Sequence, residues 1–141
     1  MNNTAIFILT FLFQALVFGQ SKGTCISQSN IETVVEEILQ NTRVRRYLHV
    51  DQVGRSPLKI KCTQYIKSQF EIYYNSEKAL ITTNENYSDL LEIYLRNVEC
   101  NNSEITLIFD FYSKIEGVGI TGKAVKKGKQ WSIEILKEVL I

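Results

Sequence analysis

Ile105-Thr106-Leu107-Ile108-Phe109-Asp110-Phe111-Tyr112 carries the strongest periodic signal in the chain, with Ile105, Leu107, Phe109 and Phe111 at every second position. Successive side chains of a strand point to opposite faces, so this pattern predicts a strand with one face on a core. The same period of two recurs on both sides. Leu91, Ile93 and Leu95 precede the stretch, with Asn101-Asn102-Ser103 as the turn between. Val118, Ile120 and Val125 follow on a strand containing Gly117, Gly119 and Gly122, glycines that predict a bend, a bulge or close packing against a helix. Lys126-Lys127-Gly128-Lys129 then turns the chain into Trp131, Ile133 and Ile135, the last alternating run. Such short connections favour antiparallel neighbours.

Upstream of Leu90 the periods are shorter. Leu58, Ile60 and Cys62 alternate with Lys59 and Lys61 behind the only proline, Pro57, and predict a half-buried strand with its lysines turned outward. Phe70, Ile72 and Tyr74 predict another strand, Asn75-Ser76-Glu77-Lys78 a turn into Ala79–Thr82, and Asn84–Asp89 a polar loop. Further back the period changes to that of a helix: Ile31, Val34, Val35, Ile38 and Leu39 form one apolar stripe. Ser29 and Glu32 have the spacing of a capping box, and the helix should end between Asn41 and Tyr47. The expected fold is α+β: one N-terminal amphipathic helix packed on a curved, mostly antiparallel sheet of about 4–6 strands.

The segment from Gly122 to Ile133 resembles the closing hairpin of small secreted bacterial domains of the cystatin-like or nuclear-transport-factor-like kind. The likeness covers about a dozen residues and implies a helix-on-sheet roll, with no functional residue carried over.

The chain begins with an uncharged apolar run, Ala5 to Gly19. As a helix it would rise only about 22 Å, short of the ~30 Å hydrocarbon core, so it reads as residues 1–19 of a secretory signal peptide rather than a permanent span. Val17 and Gly19 suit the −3 and −1 positions, which puts cleavage before Gln20, with cleavage after Ser21 as the second choice. Residues 20–28 form a polar leader and 29–141 one domain. Lys22-Gly23-Thr24 before Cys25 matches a lipobox poorly, so a lipid anchor at Cys25 is the lesser alternative to a periplasmic or secreted product.

Across all 141 residues there are 16 basic and 15 acidic side chains, every one beyond Ser21, for a net charge of +1. That balance argues against a dedicated nucleic-acid binder. With 45% apolar residues the chain has material for one core. Export would permit disulfides, but Cys25, Cys62 and Cys100 allow at most one intramolecular bridge. Three pairings are open, of which Cys62–Cys100 would join two strand segments. No two Cys or His have the spacing of a metal site, and no motif calls for a cofactor.

Three clusters are candidates for chemistry. In Arg43-Val44-Arg45-Arg46-Tyr47-Leu48-His49-Val50-Asp51, a His two residues from an Asp would form a base with its orienting carboxylate if both lay on one strand face, with Arg45 or Arg46 holding an anion. Capping or solvation is the plainer role of those arginines. Lys126, Lys127 and Lys129 could meet an acidic partner, or simply keep a sheet edge soluble. Asp110 interrupts an apolar run and is the carboxylate to look for in any pocket enclosed by the sheet. The tyrosines of the strand region could form a binding face, though cross-strand packing is their commoner use. The leading expectation is a small exported, non-catalytic binding or structural module with an unknown protein or small-molecule partner. The alternatives are a cone-shaped α+β enzyme or small-ligand binder using His49 and Asp110, and a cystatin-like inhibitor or immunity protein acting through its hairpin loops.

Overall fold

A computed structural model describes residues 25–141, so the apolar leader and both cleavage positions lie outside the described residues. The first element, α1 (Gln28–Gln40), buries Ile31, Val34, Val35, Ile38 and Leu39, the stripe expected from the sequence. Its cap differs. Ser27, not Ser29, accepts the Asn30 N–H at 3.2 Å, which starts the helix one residue before Ser29. Both serines have the chemistry of an N-cap, and the backbone conformation before the first turn chooses between them. Asn41 ends α1 and its side chain accepts from the Arg43 N–H at 3.0 Å, opening a four-residue helix, α2 (Thr42–Arg45).

Eight strands follow: β1 (Lys59–Lys61), β2 (Tyr73–Tyr74), β3 (Glu77–Lys78), β4 (Leu80–Thr82), β5 (Leu91–Asn101), β6 (Glu104–Ser113), β7 (Val118–Lys127) and β8 (Gln130–Leu140). Six make one sheet in the order β4-β1-β5-β6-β7-β8, while β2 and β3 form a separate small hairpin. The meander from β5 to β8 is antiparallel throughout, as the short turns require. The other end departs from expectation, because β1 runs parallel to both β4 and β5. A long segment from Cys62 to Ala79 separates β1 from β4 and supplies the crossover that parallel pairing needs.

Phe70, Ile72 and Tyr74 are buried as their alternation implies, yet only Tyr73–Tyr74 is strand. Asn75 and Ser76 both take positive φ, 50° and 66°, and turn the chain tightly into β3.

The core joins the α1 stripe to Ile60, Ile93, Leu107, Phe109, Phe111 and Ile120. Gly122 is the glycine this packing demands. It stands opposite Phe109 in the β6–β7 register, and a Cβ there would lie 2.3 Å from Phe109 Cζ and 2.8 Å from the Glu134 carbonyl oxygen. The close approach is thus to an aromatic ring and the next strand rather than to the helix. A bulge sits beside it, where Thr121 pairs with Lys137 and Gly122 with Ile135. Trp131 is half-buried at the helix flank, its Nε1–H donating to Thr33 Oγ1 at 3.1 Å.

Ser113 is fully buried, and its Oγ finds no hydrogen-bond partner among the described residues. A buried hydroxyl without a partner keeps its desolvation cost. Ser113→Ala is therefore expected to raise the unfolding free energy by about 1 kcal/mol, read as a higher urea midpoint at unchanged slope. A lower midpoint would show that the hydroxyl is bonded in solution.

The disulfide joins Cys25 to Cys100, and Cys62 keeps its thiol, so the Cys62–Cys100 pairing does not form. Cys62 follows β1, and β5 meets β1 at its start, through Ile60 and Leu91, whereas Cys100 lies at the far end of β5. The short residue before the helix reaches that far end instead. With its sulfur in the bridge, Cys25 has no thiol left for a lipid.

Candidate functional site

The segment after α1 is held from below and open above. Val44 and Leu48 are buried, at 0% and 2% exposure, which turns Arg45 and Arg46 to solvent on the opposite side. The helical path continues through Leu48, whose N–H donates to the Arg45 carbonyl at 3.1 Å. His49 then takes φ 46° and breaks it. For a residue with a Cβ, that left-handed conformation is uncommon, and here it reverses the chain so that Val50 and Asp51 fold back beside the arginines. The hairpin turn at Tyr74 and Asn75 supplies the facing wall. Between the two lies a wide depression of about 490 Å³ lined by Thr42, Arg45, Arg46, His49, Val50, Asp51, Tyr74 and Asn75.

Four residues singled out from the sequence thus share one cleft: Arg45, Arg46, His49 and Asp51. Their arrangement is not the expected one. No strand runs through them, and the carboxylate beside the imidazole is Glu116, with His49 Nε2 3.5 Å from its Oε2, rather than Asp51. Arg55 also donates to Glu116 through Nη2, so that carboxylate is shared between two bases. Glu116 belongs to the β6–β7 turn and had no local signal linking it to His49, 67 positions away being invisible to any period. Asp51 is exposed.

Charge is unevenly satisfied around the cleft. Arg43 lies 3.8 Å from Glu138 and Arg55 pairs with Glu116. Tyr47 donates its hydroxyl to Glu138, which pushes the phenol above its ordinary range through that bond, with desolvation adding to it. Arg45 and Arg46 have no carboxylate within ion-pair distance among the described residues. Arg46 has its guanidinium 6.0 Å from the Tyr47 ring centroid, the outer edge of a cation–π contact.

The other candidates stand elsewhere. Asp110 is on the sheet face opposite Phe109, between Tyr94 and Thr121 in the register. Arg96 Nε and Thr121 Oγ1 each donate to it at 2.7 Å. Burial alone would raise its carboxyl, but those two bonds and the Arg96 charge outweigh it and hold the group below the usual carboxylate range. Lys126 is not a loose surface charge, since its Nζ donates to Asn30 Oδ1 at 2.7 Å and ties the last hairpin to the start of α1. Lys127 and Lys129 are exposed around Gly128, whose φ of 62° makes the turn. Tyr94 and Tyr112 meet edge to face with centroids 6.2 Å apart, the packing use of tyrosine on an open sheet face.

Lys59 was expected to face outward and is buried instead. Its Nζ donates to the Gly54 carbonyl at 2.6 Å and to Asp89 Oδ2 at 2.8 Å. Because β1 lies between two strands and under two loops, both of its faces are covered, and a period of two cannot reveal that. Among the described residues no three His, Cys, Asp or Glu side chains gather so as to hold a metal ion, and no helix is long and apolar enough to cross a membrane.

Comparison with family models, curated proteins and solved structures finds no match to this chain.

Proposed function

We propose that this protein is an exported, non-catalytic binding module that grips an acidic segment of a protein partner in the cleft between α2 and the β2–β3 hairpin. The observation that carries the reading is the pair of guanidiniums, Arg45 and Arg46, exposed on the wall of one cleft without a carboxylate partner among the described residues. Neighbouring Arg43 and Arg55 have carboxylates close by, so the two that lack them are the ones available to a ligand. Arginine suits this because its planar fork binds carboxylates bidentately. The cleft is wide and shallow. Small-molecule sites enclose most of their ligand, whereas an extended acidic segment needs only one wall of donors.

Two features support a binding module over an enzyme. The space between α1 and the sheet is filled with apolar side chains, and the candidate acid and base do not converge. Asp110 is paired with Arg96 on the other sheet face, while the carboxylate beside His49 is Glu116, itself paired with Arg55. The Cys25–Cys100 disulfide is compatible with export.

The test is anisotropy of a fluorescently labelled hexa-aspartate peptide at low ionic strength, where screening is weakest. Arg45→Glu with Arg46→Glu should weaken binding by about tenfold or more, while Lys127→Glu with Lys129→Glu on the far hairpin should leave it nearly unchanged. Equal loss from both pairs, or no binding of the peptide by the native protein, would count against the cleft.

A further inference from the structure

We propose that the free edge of β8 pairs with β8 of a second copy of this chain, antiparallel about a two-fold axis that passes between Ile135 and Leu136. The sheet has two edges and they differ. The β4 edge is three residues long, while β8 offers eleven, Gln130–Leu140, and has only β7 as a partner among the described residues. A long edge presents unpaired backbone groups, and its apolar side chains remain in water: Leu136 is 52% exposed and Leu140 82%.

The bulge decides which pairing is possible. Up to Ile135, odd-numbered residues of β8 face the core, since Trp131, Ile133 and Ile135 pack against it. Beyond Leu136 the parity is reversed: Glu138 stands opposite buried Ile120 and Leu140 opposite buried Val118. Residues opposite each other in an antiparallel pair share a face. A strand whose parity flips at its middle can match faces along its whole length only if its front half meets the back half of its copy. That condition places Trp131 opposite Leu140 of the second copy, Ser132 opposite Val139, Ile133 opposite Glu138 and Glu134 opposite Lys137.

The last pair is the charge argument. Glu134 and Lys137 share the outer face and neither has an ion-pair partner among the described residues. Under the two-fold each meets its opposite from the other copy, twice in the dimer. The exposed Leu140 is brought onto half-buried Trp131 on the helix side. A two-fold normal to the sheet keeps both copies of α1 on one side, so the core-bearing faces run on from one copy to the other.

Sedimentation equilibrium of the purified full chain, over a concentration series reaching the millimolar range, reads the outcome. The native protein should dimerise. Glu134→Lys and Lys137→Glu should each raise the dimer dissociation constant by roughly tenfold or more, because each places two like-charged pairs face to face. The double exchange, Glu134→Lys with Lys137→Glu, should restore dimerisation, a recovery that loss of folding in either single variant would not mimic. Amide exchange should slow with concentration in β8 and not in β4. A native protein that stays monomeric throughout leaves the edge to another chain and overturns the proposal. So does a dimer indifferent to both single exchanges.

Discussion

Removing the Cys25–Cys100 bridge is expected to lower the unfolding free energy by about 4 kcal/mol, the largest loss any single bond in this protein should produce. The two cysteines are 75 positions apart, so the bond closes most of the chain ahead of β6 into one loop and denies the unfolded chain much of its freedom. For a domain of this size, such a loss corresponds to a melting temperature lower by roughly 10–20 °C. There is a local consequence as well. Ile26, buried at 4% exposure, and the Ser27 cap lie directly beside Cys25. Without the bridge they lose their covalent tie to β5, and exchange should rise first in the opening turn of α1. The measurement is urea unfolding of the oxidised protein against the Cys25→Ser, Cys100→Ser variant. Thiol counting by alkylation should find one reactive cysteine, Cys62, in the oxidised denatured protein and three after reduction. Equal urea midpoints would refute the stabilising role, and a single reactive thiol at Cys25 or Cys100 instead of Cys62, or three before reduction, would refute the pairing.

The second large effect is expected at Lys59. Its side chain is 10% exposed and that of Asp89 12%, so the ion pair is nearly withdrawn from water. Lys59→Met fills a similar volume but strands the Asp89 carboxylate and removes the donor to the Gly54 carbonyl. Breaking one partner of a buried pair costs about 3 kcal/mol or more, far above the worth of an exposed pair such as Lys78–Glu71. Adding Asp89→Leu to Lys59→Met should recover a large part of that loss, because an apolar pair carries no stranded charge. A loss below about 1 kcal/mol in the single variant would mean that water reaches Asp89 freely. The position also bears on binding. Gly54 follows the reversal at His49, and Arg55 next to it holds Glu116. Lys59 thus anchors the strap that forms one wall of the cleft, and its loss should weaken peptide binding even where the fold survives.

Local sequence carried much of the architecture because local interactions made it. The α1 stripe and the alternation of β5 to β8 were legible, since in each case one face is buried and the other wet, and the period of that contrast is the period of the backbone. Asn101-Asn102-Ser103 and Lys126-Lys127-Gly128-Lys129 were legible as turns from their Asn and Gly content between alternating runs. Beyond Ile135 no alternation marks the rest of β8, where the bulge at Leu136 puts Glu138 on the helix side and leaves Lys137 on the outer one. The candidate site was half legible. Arg45, Arg46, His49 and Asp51 are close in sequence and so were bound to be close in space. Their surroundings were not, because Tyr74 and Glu116 arrive from a hairpin and a turn far along the chain.

Alone, then, the sequence determined one amphipathic helix, an antiparallel meander and a cysteine count that permits a single bridge, each set by composition or by a repeating period. Tertiary structure decided that β1 runs parallel and hides Lys59, that Cys100 bonds Cys25 while Cys62 stays free, and that Asp110 and His49 serve different faces. These are questions of which distant segments meet, and burial of the shared core answers them through contacts that no local pattern encodes.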